Sequence, residues 1–176
     1  MWFAYLFWNS SIGELGNLSL YARQALGRDP KDFSGLMMAL RFGCKSIGGY
    51  ALGAIALRRG LRAGALACIA FVGASVIWGW LVPGYAYLFA FGLMGAGELG
   101  GMYIPNCTLA LSSLANGTRN LSLLTLATPV SGVAATLHGA LADRFGFSAS
   151  FAFGLSTAVL AFLLILRTPK PQAKKE

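Results

Sequence analysis

The chain's 176 residues are 56% hydrophobic and 11% charged, with a mean hydropathy of +0.64, which leaves too little polar surface to cover a water-soluble domain and marks an integral membrane protein. The formal net charge of +8 does not point to nucleic acid, because the basic residues gather at the ends of apolar runs and no basic stripe with interleaved aromatics occurs. Cys44, Cys68 and Cys107 fall inside apolar runs without a Cys-x-x-Cys spacing, so they read as packing residues, and neither metal nor cofactor is expected.

A bilayer core of about 30 Å takes about 20 helical residues per crossing. Cutting the chain at its charged, Pro-rich and Gly-rich breaks predicts six spans, at 1–22, 33–57, 63–82, 85–112, 121–142 and 149–166. The first is interrupted by Asn9, Ser10, Ser11, Glu14 and Asn17. The second carries Arg41 and Lys45, four residues apart and therefore one turn from each other on one helical face. The third is uncharged. The fourth carries Glu98, followed within two turns by Tyr103, Pro105 and Asn106, where the proline bends the helix and frees a carbonyl. The fifth carries Pro129 and His138, and the sixth is uncharged. Residues 167–176 form a basic tail that reads as a solvated stop-transfer flank.

Lys and Arg counts at the span ends orient the chain. With both termini in the cytoplasm, the inner segments hold Arg58, Arg59, Arg62, Arg119, Arg167, Lys170, Lys174 and Lys175, and the outer ones hold Arg23, Arg28, Lys31 and Arg144. Eight against four favours this orientation, in a plasma or inner membrane.

Two motifs recur. Gly13-Glu14-Leu15-Gly16 returns as Gly97-Glu98-Leu99-Gly100, 84 residues on. The stretch from Gly53 through Arg58 to Gly60 resembles that from Gly139 through Asp143 and Arg144 to Gly146, 86 residues on. Each copy contains three crossings, an odd number, so the second must insert upside down. The expected organisation is an all-α membrane protein of six transmembrane helices in two inverted three-helix repeats, 1–82 and 85–166, with the tail at 167–176.

Charges inside hydrocarbon need a reason. Four unpaired ones, Glu14, Arg41, Lys45 and Glu98, would cost roughly 10–14 kcal/mol, so the spans bearing ionisable groups (first, second, fourth and fifth) are expected to line an interior. The third and sixth are expected to form its outer, lipid-facing support. At about 1.5 Å rise per residue, Lys45 and Glu98 fall near the midplane, with Glu14 and Arg41 nearer the outer surface. Depth therefore predicts Glu14 with Arg41 and Glu98 with Lys45. Such pairs can be static braces, or they can bind solute and relay protons. His138 reads as a packing or hydrogen-bonding residue, with proton carriage as the alternative. The glycines of the second and fourth spans permit close helix approach, whether for packing alone or for sliding.

On these features the chain resembles the carboxyl-terminal half of a major facilitator superfamily transporter over essentially its whole length. That resemblance implies two six-helix halves, each of two inverted three-helix repeats, with the first, second, fourth and fifth helices of each half around the substrate. The family's loop signature, Gly-x-x-x-Asp-Arg/Lys-x-Gly-Arg/Lys-Arg/Lys, is partly matched by Gly53, Arg58, Gly60 and Arg62, with Leu57 where the aspartate belongs. The second copy, Gly139, Asp143, Arg144 and Gly146, keeps the acid.

The function so implied is secondary active transport of a small polar solute by alternating access. Arg41 and Lys45 would meet an anionic group or neutralise the acids, Glu14 or Glu98 would carry a coupling proton, and His138 and Asn106 would lie nearby. The alternative is a non-transporting fragment or assembly partner of a membrane complex. No Walker motif, Ser/His/Asp order or His-Glu-x-x-His occurs, so enzymatic activity is not expected. Partners are the lipid bilayer, the solute, and either a missing amino-terminal half, if the chain is a fragment starting at an internal methionine, or a second copy of a half-size protein.

Overall fold

The computed structural model describes residues 1–169; the terminal bases Lys170, Lys174 and Lys175 used in the charge count lie outside the described residues. Among the described residues the chain is all helical, without strands: α1 (Trp2–Ile12), α2 (Leu15–Leu26), α3 (Ser34–Arg59), α4 (Leu61–Leu81), α5 (Phe89–Gly97), α6 (Gly100–Leu111), α7 (Gly117–Thr125), α8 (Ala127–Phe145) and α9 (Phe147–Arg167). Short 3-10 turns over Pro30–Phe33 and Gly84–Leu88 lead into α3 and α5.

Among the described residues three helical stretches are long and apolar enough to cross a membrane: Leu61–Leu81, Gly117–Phe145 and Phe147–Arg167. The other predicted spans fall short of that length or apolarity for visible reasons. The first and fourth are each divided at the repeated Gly-Glu-Leu-Gly, and α3 carries Arg41, Lys45, Arg58 and Arg59.

The divisions are tightened turns rather than loops. At the first, the Gly13 N–H is shared between the Asn9 and Ser10 carbonyls (3.2 and 3.1 Å) and the Glu14 N–H donates to Ser11 (3.2 Å). At the second, Leu99 donates to Ala96 (3.3 Å) and Gly101 to Glu98 (3.1 Å). Apart from the Gly13 bond to Asn9, these are bonds across three residues, the 3-10 pattern that marks hinges and strained sites when it falls inside a helix. Gly13, Glu14, Glu98 and Leu99 keep right-handed helical dihedrals, so the chain direction continues through each turn.

The second repeated motif also adopts one conformation twice. Gly60 ends α3 at φ 86°, ψ 163°, and Gly146 ends α8 at φ 82°, ψ 167°. Their N–H groups donate to Ala56 and Ala142 (2.8 and 3.0 Å), and their carbonyls accept from Ala63 and Ala149 (3.0 and 3.1 Å). A side chain is barred from this corner of backbone space, so only glycine reverses the chain in one residue here.

α1 packs on α8 and α9, α5 packs on α3 and α4, and α4 lies against α9. The core runs between them through Leu18, Ile69, Val72, Val76, Tyr87, Met94, Phe151 and Ile165. At its edge Tyr21 meets Phe151 edge-on, with ring centres 5.1 Å apart.

The expectation that the third and sixth spans form only an outer support needs correction. α4 buries nine residues, among them Gly64, Cys68, Val72, Val76 and Gly79, whereas the longer α3 buries three. Both central helices still show an apolar outer side, Ile77 and Leu81 on α4, Val159 and Leu163 on α9. Their inner sides are stripes of small residues, which let α4 and α9 approach each other at the centre of the bundle.

Candidate functional site

The ionisable side chains collect in two separate groups. In the first, Glu98 at the α5–α6 turn receives both bases of α3: Arg41 Nε donates to Oε1 at 2.6 Å, and Lys45 Nζ donates to Oε2 at 3.0 Å. The Glu98 side chain is 9% exposed, while Arg41 and Lys45 are 24% and 35% exposed. One acid thus faces two cations, leaving an excess positive charge at a partly open position.

The sequence explains how α3 brings the bases there. Arg41 and Lys45 share a face, and α5 meets that face with glycines. A Cβ on Gly95 would lie 2.0 Å from the Arg41 carbonyl oxygen, and one on Gly92 would lie 2.7 Å from Cys44 Sγ. The two backbones are therefore in direct contact one turn before Glu98. Arg41 also lines a cleft of about 310 Å³ between α2, α3 and α5, with Leu15, Ser19, Lys31, Ser34, Met37, Met38 and Phe91.

The second group is sealed inside the bundle. Glu14 and His138 are 0% and 1% exposed, and His138 Nδ1 contacts Glu14 Oε2 directly. His138 Nε2 lies 2.9 Å from the Ser10 carbonyl oxygen. Ser150 Oγ donates to Glu14 Oε2 at 2.8 Å, lies 3.0 Å from His138 Nδ1, and accepts from Asn17 Nδ2 at 2.7 Å. Asn17 also donates to the His138 carbonyl (2.9 Å), and Ser11 donates to that of Gly154 (2.8 Å). Gly154 makes room, since a Cβ there would lie 3.2 Å from Glu14 Oε2 and 3.3 Å from the His138 ring.

The pairing expected from depth is therefore replaced. Glu14 meets His138 rather than Arg41, and Arg41 joins Lys45 on Glu98. Depth fixes height along a helix but not direction around it, and the α1–α2 turn points Glu14 towards α8 and α9. Asn106 is exposed on α6, outside both groups. Of the loop residues, Gly60 and Gly146 make the two chain reversals. Arg62 donates to the Leu166 carbonyl, tying the start of α4 to the end of α9. Arg58, Asp143 and Arg144 are exposed, and among the described residues none of them forms an ion pair. Gly53 and Gly139 are half-buried, with open space where a Cβ would stand.

Sequence reasoning missed Ser150, which donates to the buried acid, and Asn17, which donates to Ser150. Asn17 had a signal, being three residues from Glu14 and so on the same helix face. Ser150 is a small hydroxyl in an apolar span and had none.

No family model matches the chain, and neither a curated protein nor a solved structure is similar to it.

Proposed function

We propose that the chain is a six-helix unit of a secondary transporter, in which repeats 1–82 and 85–166 insert in opposite orientations in the major facilitator arrangement. Arg41, Lys45 and Glu98 then bind the anionic group of a small polar solute. The inverted arrangement is supported by the duplicated features. Both Gly-Glu-Leu-Gly copies are tightened turns, and Gly60 and Gly146 share one rare conformation. Partners are also exchanged reciprocally: α1 of the first repeat packs on the last two helices of the second, and α5 of the second packs on the last two of the first. A pseudo-twofold axis between repeats produces that exchange.

The observation that carries the solute reading is Glu98 set against two cations beside the Arg41 cleft. A solute carboxylate or phosphate offers Arg41 the same planar acceptor that Glu98 now supplies. Glu98 holds the two bases and yields them to the solute. Translocation then follows from this unit rocking against a second six-helix unit, an amino-terminal half or another copy, across the exposed faces of α3 and α8, with both termini cytoplasmic.

The test is equilibrium binding of small carboxylates and of inorganic phosphate to the full chain in nanodiscs. Saturable binding of one of them, weakened roughly tenfold or more in Arg41→Gln, is expected, because a charge-assisted contact contributes about 1.5–3 kcal/mol. Equal affinity of wild type and variant would refute the assignment.

A further inference from the structure

We propose that Glu14 and His138 form a binding site for a single proton, held between Glu14 Oε2 and His138 Nδ1 and walled off from the Arg41–Lys45–Glu98 group. Hydrogen-bond roles fix the count. The Ser10 carbonyl can only accept, so His138 Nε2 must carry a hydrogen. That leaves Nδ1 facing Glu14 Oε2. With no proton between them, a carboxylate would abut a nitrogen lone pair, two acceptors in contact. With one, either the ring donates to the carboxylate or the carboxyl donates to the ring.

Both one-proton forms have zero net charge, the condition that permits a fully buried ionisable pair. Among the described residues Glu14 Oε1 has no hydrogen-bond partner, which costs least when the proton resides on or near Oε2 and Oε1 carries little charge.

Among the described residues no other charged side chain forms an ion pair with Glu14 or His138. Among the surrounding elements, α1 has no charged side chain, and the only one on α9 is Arg167 at its far end. The Arg62 guanidinium of α4 is engaged at that same end, on the Leu166 carbonyl. On α2, Arg23 is exposed about two and a half turns from Glu14, and on α8, Asp143 and Arg144 are exposed beyond His138. The Tyr87 hydroxyl donates to the Leu18 carbonyl. Ser150 accepts from Asn17 and has one hydrogen to give, so it supports the pair without replacing its proton. Release of the proton to water reaching Oε1 would leave a net charge of −1 in an apolar bundle.

This inference rests on the geometry of Glu14 and His138 alone and is independent of which solute Arg41 binds. The chain has a single histidine, so ring-15N-histidine labelling of the full chain in nanodiscs gives one imidazole without assignment. At neutral pH the expected result is a protonated Nε2 together with an Nδ1 signal shifted by a bound or shared proton. Glu14→Gln is expected to move that signal to the position of a bare nitrogen, and Ser150→Ala is expected to leave it shifted. A bare Nδ1 in the wild type, or a shift unchanged by Glu14→Gln, overturns the site. So does a shift lost in Ser150→Ala, which would assign the hydrogen to the serine. If Glu14→Gln does not fold, the wild type and Ser150→Ala together still decide.

Discussion

Replacing Gly95 by alanine tests whether α3 and α5 truly meet backbone to backbone. The added Cβ would stand 2.0 Å from the Arg41 carbonyl oxygen, 2.8 Å from its carbonyl carbon and 3.0 Å from its Cα. Non-bonded heavy atoms settle at about 3.5–4.0 Å, and these obstacles are main chain that cannot rotate away. The helices must therefore part by about 1.5 Å. Such a shift would stretch the 2.6 Å bond from Arg41 to Glu98 to roughly 4 Å, outside hydrogen-bond range unless both side chains re-extend. Overpacking of this kind costs about 1–3 kcal/mol, against a helix-propensity gain of about 1 kcal/mol for alanine over glycine. The net loss is about 0–2 kcal/mol, but measured against a glycine-to-alanine change in open space the full cost of about 1–3 kcal/mol remains, roughly 2–12 °C in Tm for a chain of this size. Thermal unfolding in detergent reads it. Gly49→Ala is the control, since nothing lies within 4 Å of its Cβ position, and its Tm should stay level or rise. A Gly95→Ala protein as stable as Gly49→Ala would refute the close α3–α5 contact and the route by which Arg41 reaches Glu98.

Gly60→Ala and Gly146→Ala should each cost about 1–3 kcal/mol from backbone strain alone, and by similar amounts because the dihedrals agree; a large loss at one site and none at the other would break the equivalence of the two reversals. Glu98→Gln leaves two cations without their anion and Arg41→Gln removes one of them, so the double variant should lose less stability than the sum of the two single losses. A double-mutant cycle on unfolding free energy should give a coupling of about 0.5–3 kcal/mol, and additive losses would show that the ion pair does not operate.

Much of the chain's linear organisation was legible in the sequence. The ends of α3, α4 and α9 lie within a few residues of the expected spans, because Arg58-Arg59-Gly60 and Gly146 combine charge with a residue that halts a helix. Arg41 and Lys45 share a face by spacing alone, and the structure sends both to one carboxylate. Direction around the helix axis was not legible. Each residue turns a helix by about 100°, so whether Glu14 looks towards α3 or towards α8 depends on which helices flank α1. Nothing local encodes that. The inward turn of α4 escaped for a related reason: charge marks a face clearly, whereas Gly64, Cys68, Ser75 and Gly79 mark theirs by small size at helical spacing, which apolarity averaged over the span conceals.

The central claim is that the two repeats enter the membrane in opposite senses, which puts the Gly60 and Gly146 reversals on opposite sides. Single cysteines at the neighbouring exposed positions, Arg58→Cys and Phe145→Cys, in a background with Cys44, Cys68 and Cys107 replaced by serine, measure this through labelling by a membrane-impermeant maleimide. In intact cells the cysteine at position 145 should label at once, and that at position 58 only after the membrane is permeabilised. Labelling of both positions from the same side would contradict the account.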